Sequence, residues 1–406
     1  MTLEVSAAAE TLLSTVAVRE RCCNIASAVS AGNSRHFRID RSRLPAAASL
    51  VADVTRSRYP NLAIPYHSRW RHFEAGGVDR RGELDHALEG RSRAERARAH
   101  IDLTVISVLL DAGAGPAWNY EEKGSGKRFT RSEGLGVASF RAFMAGAFSR
   151  TPGDPYRVDA TALAMLDARL LSALFAVDAR NPLVGLEGRA GLLRRLGSAL
   201  ANRPDVFGDG ARPGGLFDTL TYPGGRTVSA SAILHALLDG LGTIWQTGST
   251  LEGVALGDTW RHSQAGGRGT TAGWVPFHKL SQWLSYSLFE PFEWAGVTVT
   301  GRDDLTGLPE YRNGGLLLDT GVLALTNDAE ALVPREVGSE FVIEWRALTV
   351  ALLDELAPLV RMRLGVPDLP LACILEGGTW AAGRRLAADL RGGDPPVMIH
   401  SDGTVF

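Results

Sequence analysis

Residues 341–360 read "FVIEWRALTVALLDELAPLV". Apolar side chains return at Phe341, Trp345, Leu348, Leu352 and Leu356, three or four residues apart, the period of a helix that buries one stripe. The same period recurs at 4–18, 43–54, 100–111, 161–176, 228–241 and 379–390, so the spacing predicts a mainly α chain. Extended candidates are short and few: "HFRID" at 36–40, "VTVTG" at 297–301, "GLLLDTGVLAL" at 315–325 and the tail "PVMIHSDGTVF" at 396–406. Two irregular stretches, 61–100 and 203–226, contain aromatic and order-promoting residues rather than the Gly/Ser or charged runs of a linker. The first turns helical near Arg81, and the second ends on the turn "YPGGR". With no clean boundary, the expectation is one domain over 1–406.

A chain of 406 residues, 45% apolar, can build a full core. Lys and Arg total 43 against 45 Asp and Glu, and a net charge of -2 provides no long-range attraction for nucleic acid or an anionic membrane. Cys22, Cys23 and Cys373 fit neither a disulfide framework nor a zinc spacing, which suits a reducing compartment. Glu4 and Glu10 stand where a signal peptide would carry positive charge, and no apolar run approaches the ~20 residues of a membrane span. The expectation is a soluble, cytoplasmic protein with no nucleic-acid or membrane partner.

Four clusters are denser in aromatic and ionisable residues than a core requires. In "PYHSRWRHFEAGG" (65–77), Arg69 and Arg71 flank Trp70 among His67, His72 and Glu74, a set suited to a sugar phosphate because guanidinium pairs bidentately with phosphate oxygens. A metal held by His67, His72 and Glu74 is the alternative, although the histidines lack His-Glu-x-x-His spacing; a surface loop pinned by its aromatics is another. In "PAWNYEEKGSGKRFTRSEGLGVASF" (116–140), Thr130 and Glu133 fit a capping box that opens a helix at Arg131. Trp118 and Tyr120 can stack on a small ligand or belong to the core, and "KGSGK" lacks the spacing of a phosphate loop and reads better as a turn.

The third cluster runs from "GWVPFHKLSQWLSYSLFEPFEWAG" (273–296) into "GLPEYRNGG" (307–315). His278, Lys279 and Gln282 share one side of a predicted helix, opposite Leu280, Leu284 and Leu288. Pro309 with Gly314 and Gly315 would suffice for a turn, so Glu310, Tyr311, Arg312 and Asn313 call for another explanation. Glu310 is a candidate catalytic carboxylate with Arg312 orienting it or binding phosphate, or else the two form an ordinary surface pair. In the fourth cluster, "ACILEGGTWAAGRRLAADL" (372–390), Glu376 either caps a helix or sits where burial beside Leu375 and Trp380 raises its pKa. No Gly-x-Ser-x-Gly, Gly-x-Gly-x-x-Gly after a strand, Cys-x-x-Cys or His-Glu-x-x-His occurs. The remaining inventory suits a hydrolase or lyase acting on a small polar, phosphorylated molecule.

"FRIDRSRLPAAASLV", "YPNLAIPYHSRWRHFEAGGVDR", "WNYEEKGSGKRFTRSEGLGVASFRAF" and "LTGLPEYRNGGLLLDTGVL" resemble a family of uracil-catabolism proteins long classed as a domain of unknown function, over nearly the whole chain. That resemblance implies a route in which a GTP cyclohydrolase-like enzyme opens the pyrimidine ring of UMP, leaving urea joined to ribose 5-phosphate. The order of segments, with "HKLSQ", "LTGLPEYR", "EFVIEWRA" and "ILEGGTW", is also similar to the queuosine 5′-phosphate N-glycosylases, α-helical relatives of DNA glycosylases. Their loop reads approximately Leu-Thr-x-Phe-Ala-Asp-Tyr-Arg, and its Asp falls on Glu310 while Tyr311 and Arg312 match in kind.

Together the resemblances imply a cofactor-free, metal-independent N-glycosidase with a helical, DNA-glycosylase-like core and a few short strands. Its substrate would be a small phosphorylated ribosyl compound, and it would be functionally coupled to the ring-opening enzyme. A fixed carboxylate at Glu310 would stabilise the positive charge that develops on the sugar, and Glu376, Glu133 or His278 would protonate the leaving urea. Substrate contacts would come from His67, Arg69, Trp70, His72, Trp118, Tyr120, Arg131, His278, Lys279, Tyr311, Arg312 and Trp380. Two rivals stand beside this reading: a metal-assisted hydrolase of a ureido intermediate, and a non-catalytic scaffold for the ring-opening enzyme.

Overall fold

The period read at 341–360 is a 25-residue helix, Glu340–Leu364, in a computed structural model that describes residues 6–111, 113–221, 224–245 and 249–400. Ser339 caps its start and Gly365, at φ 75°, ends it. Its residues are buried on most sides because other helices surround it: Thr15–Ser30, Leu44–Arg58 and Tyr311–Asp319 all pack on it. The fold is mainly α, and among the described residues no strand exceeds four residues and every sheet has two strands.

The described residues gather into two compact units interleaved along the chain: 6–67, 249–282 and 301–400 form one, and 68–245 with 283–300 the other. In the first, Tyr311–Asp319 lies against Trp380–Arg391 at very short range. A Cβ on Gly383 would come 2.0 Å from the Arg312 carbonyl oxygen, and one on Gly314 would come 2.7 Å from the Trp345 ring. Phe37–Ile39 pairs antiparallel with Leu323–Leu325, with Phe37 opposite Leu325.

In the second unit, Arg93–Leu109 starts on a capping box made by Ser92 and Glu95, and packs against Arg131–Met144 and Gly215–Thr221. The hairpin Asn119–Glu122 with Lys127–Thr130 makes "KGSGK" its turn. Glu122 anchors that hairpin: burial alone would raise its carboxyl, but Arg80 and Arg141, each at 2.6 Å, and Ser125 hold it down at about 2. The Lys279–Trp294 helix gives its first residues to the first unit and the remainder to the second. No helix among the described residues is long and apolar enough to cross a membrane, and the three cysteines are free thiols.

Several elements differ from their sequence reading. The 4–18 pattern is two helices, Ala7–Leu12 and Thr15–Ser30, because Ser14 turns its hydroxyl back to cap the second at the Ala17 N–H; residues 4 and 5 lie outside the described residues. Asp167 does the same within 161–176, dividing Ala160–Ala164 from Ala168–Leu174. The stretch 315–325 begins inside the helix Tyr311–Asp319 and ends in the short strand Leu323–Leu325; Gly314, just before it, lets the Trp345 helix approach instead of extending the chain. No capping box forms at Thr130, whose side chain makes no cap bond, while Arg131 takes φ 53°. The stretch 203–226 contains the helices Pro204–Phe207 and Gly215–Thr221. Tyr222 and Pro223 of "YPGGR" lie outside the described residues, as do 401–406 of the tail, whose Ile399–His400 pairs parallel with Arg335–Glu336.

Gly383→Ala is expected to destabilise the chain by roughly 1–3 kcal/mol, because the added methyl overpacks a backbone contact. Urea denaturation reads this, and an unchanged midpoint would show that the two helices can part without penalty.

Candidate active site

Glu310 is the residue from which the Tyr311–Asp319 helix starts. Its own backbone is extended, and its carboxylate accepts the Arg312 N–H at 2.8 Å and the Asn313 N–H at 2.5 Å. Two of the four N–H groups that a helix start leaves unpaired are thereby satisfied. Asn313 folds its side-chain amide back to the Leu308 carbonyl at 3.1 Å, closing the loop on itself. The loop is fastened upstream by Gln282, which is fully buried. Its Oε1 accepts the Thr306 N–H at 2.7 Å, and its Nε2 donates to Thr306 Oγ1 at 2.8 Å and to the Phe277 carbonyl at 2.9 Å. One amide therefore joins "HKLSQ" to "LTGLPEYR".

Asp258 fixes the start of the "HKLSQ" helix. It accepts the Lys279 N–H at 3.0 Å, the Trp260 indole N–H at 2.7 Å and a two-pronged contact from Arg346 at 2.9 and 2.7 Å. Burial would raise its carboxyl, yet these partners, Arg346 foremost, hold it at about 2. Lys279 is thus set on a rigid turn, and its charge reaches Glu310. Glu310 itself is raised above an ordinary glutamate: burial outweighs the two backbone N–H bonds and the positive influence of Lys279 and His67.

Glu376 lies in a single wide, π-type turn, Leu375–Thr379. Gly378 makes the turn fit, since a Cβ there would come 2.5 Å from side-chain atoms of both Val51 and Thr55. The carboxylate meets His67 Nδ1 at 3.0 Å, Arg58 Nη2 at 2.9 Å and the Tyr59 hydroxyl at 3.2 Å. Burial pushes Glu376 up, but His67 and Arg58 outweigh it and the carboxyl is lowered. This corrects the expectation that burial beside Leu375 and Trp380 would raise it. The His67 ring lies 6.3 Å from that of Trp380, over which Arg384 sits at 5.4 Å.

Of the residues singled out from sequence, the first unit brings Glu310, Glu376, His67, Lys279 and Trp380 into one electrostatic neighbourhood. Tyr311 is exposed beneath the Arg312 guanidinium, whose Nη1 donates to the Gly393 carbonyl at 3.3 Å. His278 is buried at φ 50° with Nε2 donating to the Leu12 carbonyl at 2.8 Å, and burial lowers its pKa, an environment that disfavours the charged imidazolium.

The second unit holds the others. Arg69 is fully buried against Asp111 at 3.1 Å, Ser107 at 2.7 Å and the Ser132 carbonyl at 3.2 Å. Trp70 stacks edge-on with Trp294 at 4.6 Å, and His72 meets Trp283 at 5.9 Å. Trp118 is fully buried and donates its indole N–H to the Phe175 carbonyl, which makes it a core anchor. Tyr120 is half-buried with its phenol raised by burial, Arg131 is exposed, and Glu133 is half-buried within electrostatic reach of Arg69.

Arg58 and Tyr59, which orient Glu376, and Asp258 went unnoticed in the sequence, because each acts on a partner distant in the chain. The half-buried Glu290 was missed for the same reason: it accepts from Ser68 at 2.7 Å and Arg71 at 2.6 Å, and desolvation raises it. Among the described residues no three of His, Cys, Asp and Glu form an arrangement that could hold a metal ion.

The family model described as "Protein of unknown function (DUF1688)" matches residues 11–406. The chain is 39% identical over 411 residues to Uracil catabolism protein 4 of Lachancea kluyveri, covering 92% of this chain and 93% of that protein. It is 41% identical over 409 residues to Protein urg3 of Schizosaccharomyces pombe (strain 972 / ATCC 24843), covering 97% and 98% of the two chains.

Because the Glu376 carboxyl is lowered in the fold, its ion pairing stabilises the chain above the unfolded glutamate pKa of about 4.3, and this contribution is lost as pH falls through the folded value. Glu376→Gln should therefore cost roughly 1–3 kcal/mol at pH 7, with a deficit that shrinks toward about pH 3.5. Urea denaturation at the two pH values reads the difference, and a pH-independent deficit would refute the ion pairing.

Proposed function

The chain belongs to this family of unknown function, and we propose that it acts in uracil catabolism by hydrolysing the N-glycosidic bond of a ring-opened uridine nucleotide, N-ribosylurea 5′-phosphate, to urea and ribose 5-phosphate. The name of the Lachancea kluyveri relative, Uracil catabolism protein 4, supports the pathway. The observation that carries the reaction is Glu310: a half-buried carboxylate pinned by two backbone N–H groups, raised in pKa, with Lys279 and His67 within electrostatic reach.

The chemistry needs negative charge near the anomeric carbon, a base for water and an acid for the departing nitrogen. As the bond from C1′ to nitrogen breaks, positive charge spreads over the sugar ring, and a carboxylate already fixed in place stabilises it without reorganising. Water adds to C1′ and gives its proton to Glu310, whose raised pKa suits a proton acceptor. Urea leaves poorly as its anion, and His67, oriented through Nδ1 by the ionised Glu376, supplies the proton to its nitrogen. Lys279 provides positive charge for the 5′-phosphate, a remote handle whose binding orients the ribose.

Glu310→Gln is expected to lower turnover at least about a thousandfold while the protein folds and retains ligand. The assay supplies UMP with the ring-opening enzyme and follows urea and ribose 5-phosphate by mass; equal activity in the variant would remove Glu310 from the mechanism. Because burial raises Glu310, the acidic limb of kcat/KM should lie above the ordinary glutamate range of about 4.3. A limb at or below that range would assign the base to another group.

A further inference from the structure

The first unit contains an open cavity of about 400 Å³ that none of the residues discussed for catalysis lines. Its volume falls within the roughly 300–1,000 Å³ typical of small-ligand sites. Trp260, Arg261 and Trp274 come from the paired strands Thr259–Arg261 and Trp274–Pro276, where Arg261 stands directly opposite Trp274. Ser249, Thr250 and Gly338 complete the part that bears on recognition.

The walls are fixed before any ligand arrives. The Arg261 guanidinium lies 3.6 Å over the Trp274 ring, and its Nη1 donates to the Ala272 carbonyl at 2.7 Å, so the cation has a set plane and position. Trp260 is half-buried, and its indole N–H is held by Asp258 at 2.7 Å. A Cβ on Gly338 would come 2.8 Å from the Trp260 ring, so the absence of a side chain there sets where that wall stands. Among the described residues no carboxylate or histidine lines the cavity, so those that do line it offer no group for general acid or base work.

Two indoles, one oriented cation and two hydroxyls match a flat, polar-edged ring that carries an anion. We infer that this cavity is a second, non-catalytic binding site for a mononucleotide, with the base stacked on Trp260 and the phosphate met by Arg261. Stacking on an indole tolerates any base, whereas the phosphate contact requires the guanidinium.

The test titrates the full-length chain with UMP and reads tryptophan fluorescence, with uracil and inorganic phosphate as separate probes. UMP should quench the emission and bind more tightly than either fragment. Arg261→Ala and Gly338→Ala should each weaken it at least about tenfold, with thermal melts showing that both variants are folded. Lys279→Ala, which removes the cation proposed for the phosphate at the hydrolytic site and lies outside the cavity lining, should leave this binding unchanged and so separates the two sites. The inference is overturned if the wild-type chain does not bind UMP, if either cavity variant binds it normally, or if Lys279→Ala abolishes the binding.

Discussion

The two hydrogen bonds that Glu310 accepts from the first turn of the following helix are the constraint on which the site depends. Serine, threonine, aspartate and asparagine are the preferred side chains at such a position, and glutamate must fold back one methylene further to reach the same N–H groups. The bond to Asn313, at 2.5 Å, shows that it does so fully. A carboxylate tied in this way cannot swing with its rotamers, and each of its oxygens retains a lone pair for another partner. In the proposed reaction, structural cap and reactive group would thus be one side chain, which would account for a "PEYRNGG" so much richer than a turn requires.

The environments of Glu310 and Glu376 drive the two carboxyls apart. Burial pushes both up, but Glu310 is held by two backbone N–H dipoles with Lys279 and His67 acting more weakly and is raised, whereas Glu376 touches a guanidinium and an imidazole and is lowered. Such a separation is how a protein assigns different proton-handling tasks to chemically identical groups. In the proposed reaction it also redistributes the tasks expected from sequence, with Glu376, lowered by its partners, orienting His67 in place of donating a proton itself.

Much of the fold was legible because helical burial writes itself at a period of three to four residues, as in 341–360 and 379–390. What broke the reading were single polar residues that cap a second helix, Ser14 and Asp167, and a glycine at 314 that serves close packing rather than extension. The site was legible in its loop and its wide turn, where unusual composition could be seen locally. It was not legible in Arg58, Tyr59 or Asp258, whose importance lies in partners such as Glu376 and Arg346 that adjoin them only after folding. Trp118 and His278 illustrate the converse: an aromatic or imidazole looks functional in a string of letters, and only burial with a backbone partner reveals it as part of the core.

The wide turn at Leu375–Thr379 amounts to one surplus residue wound into an otherwise regular helical path. Each residue of an ordinary helix advances the azimuth by about 100°. Loss of that surplus would therefore rotate everything on one side of it by about this angle relative to the other, carrying the Glu376 oxygens off the His67 ring while leaving the composition almost intact. In this segment the length of the chain, as much as the identity of its letters, sets the contact between Glu376 and His67, and an alignment gap of one position would mark its loss where no substitution table could register it.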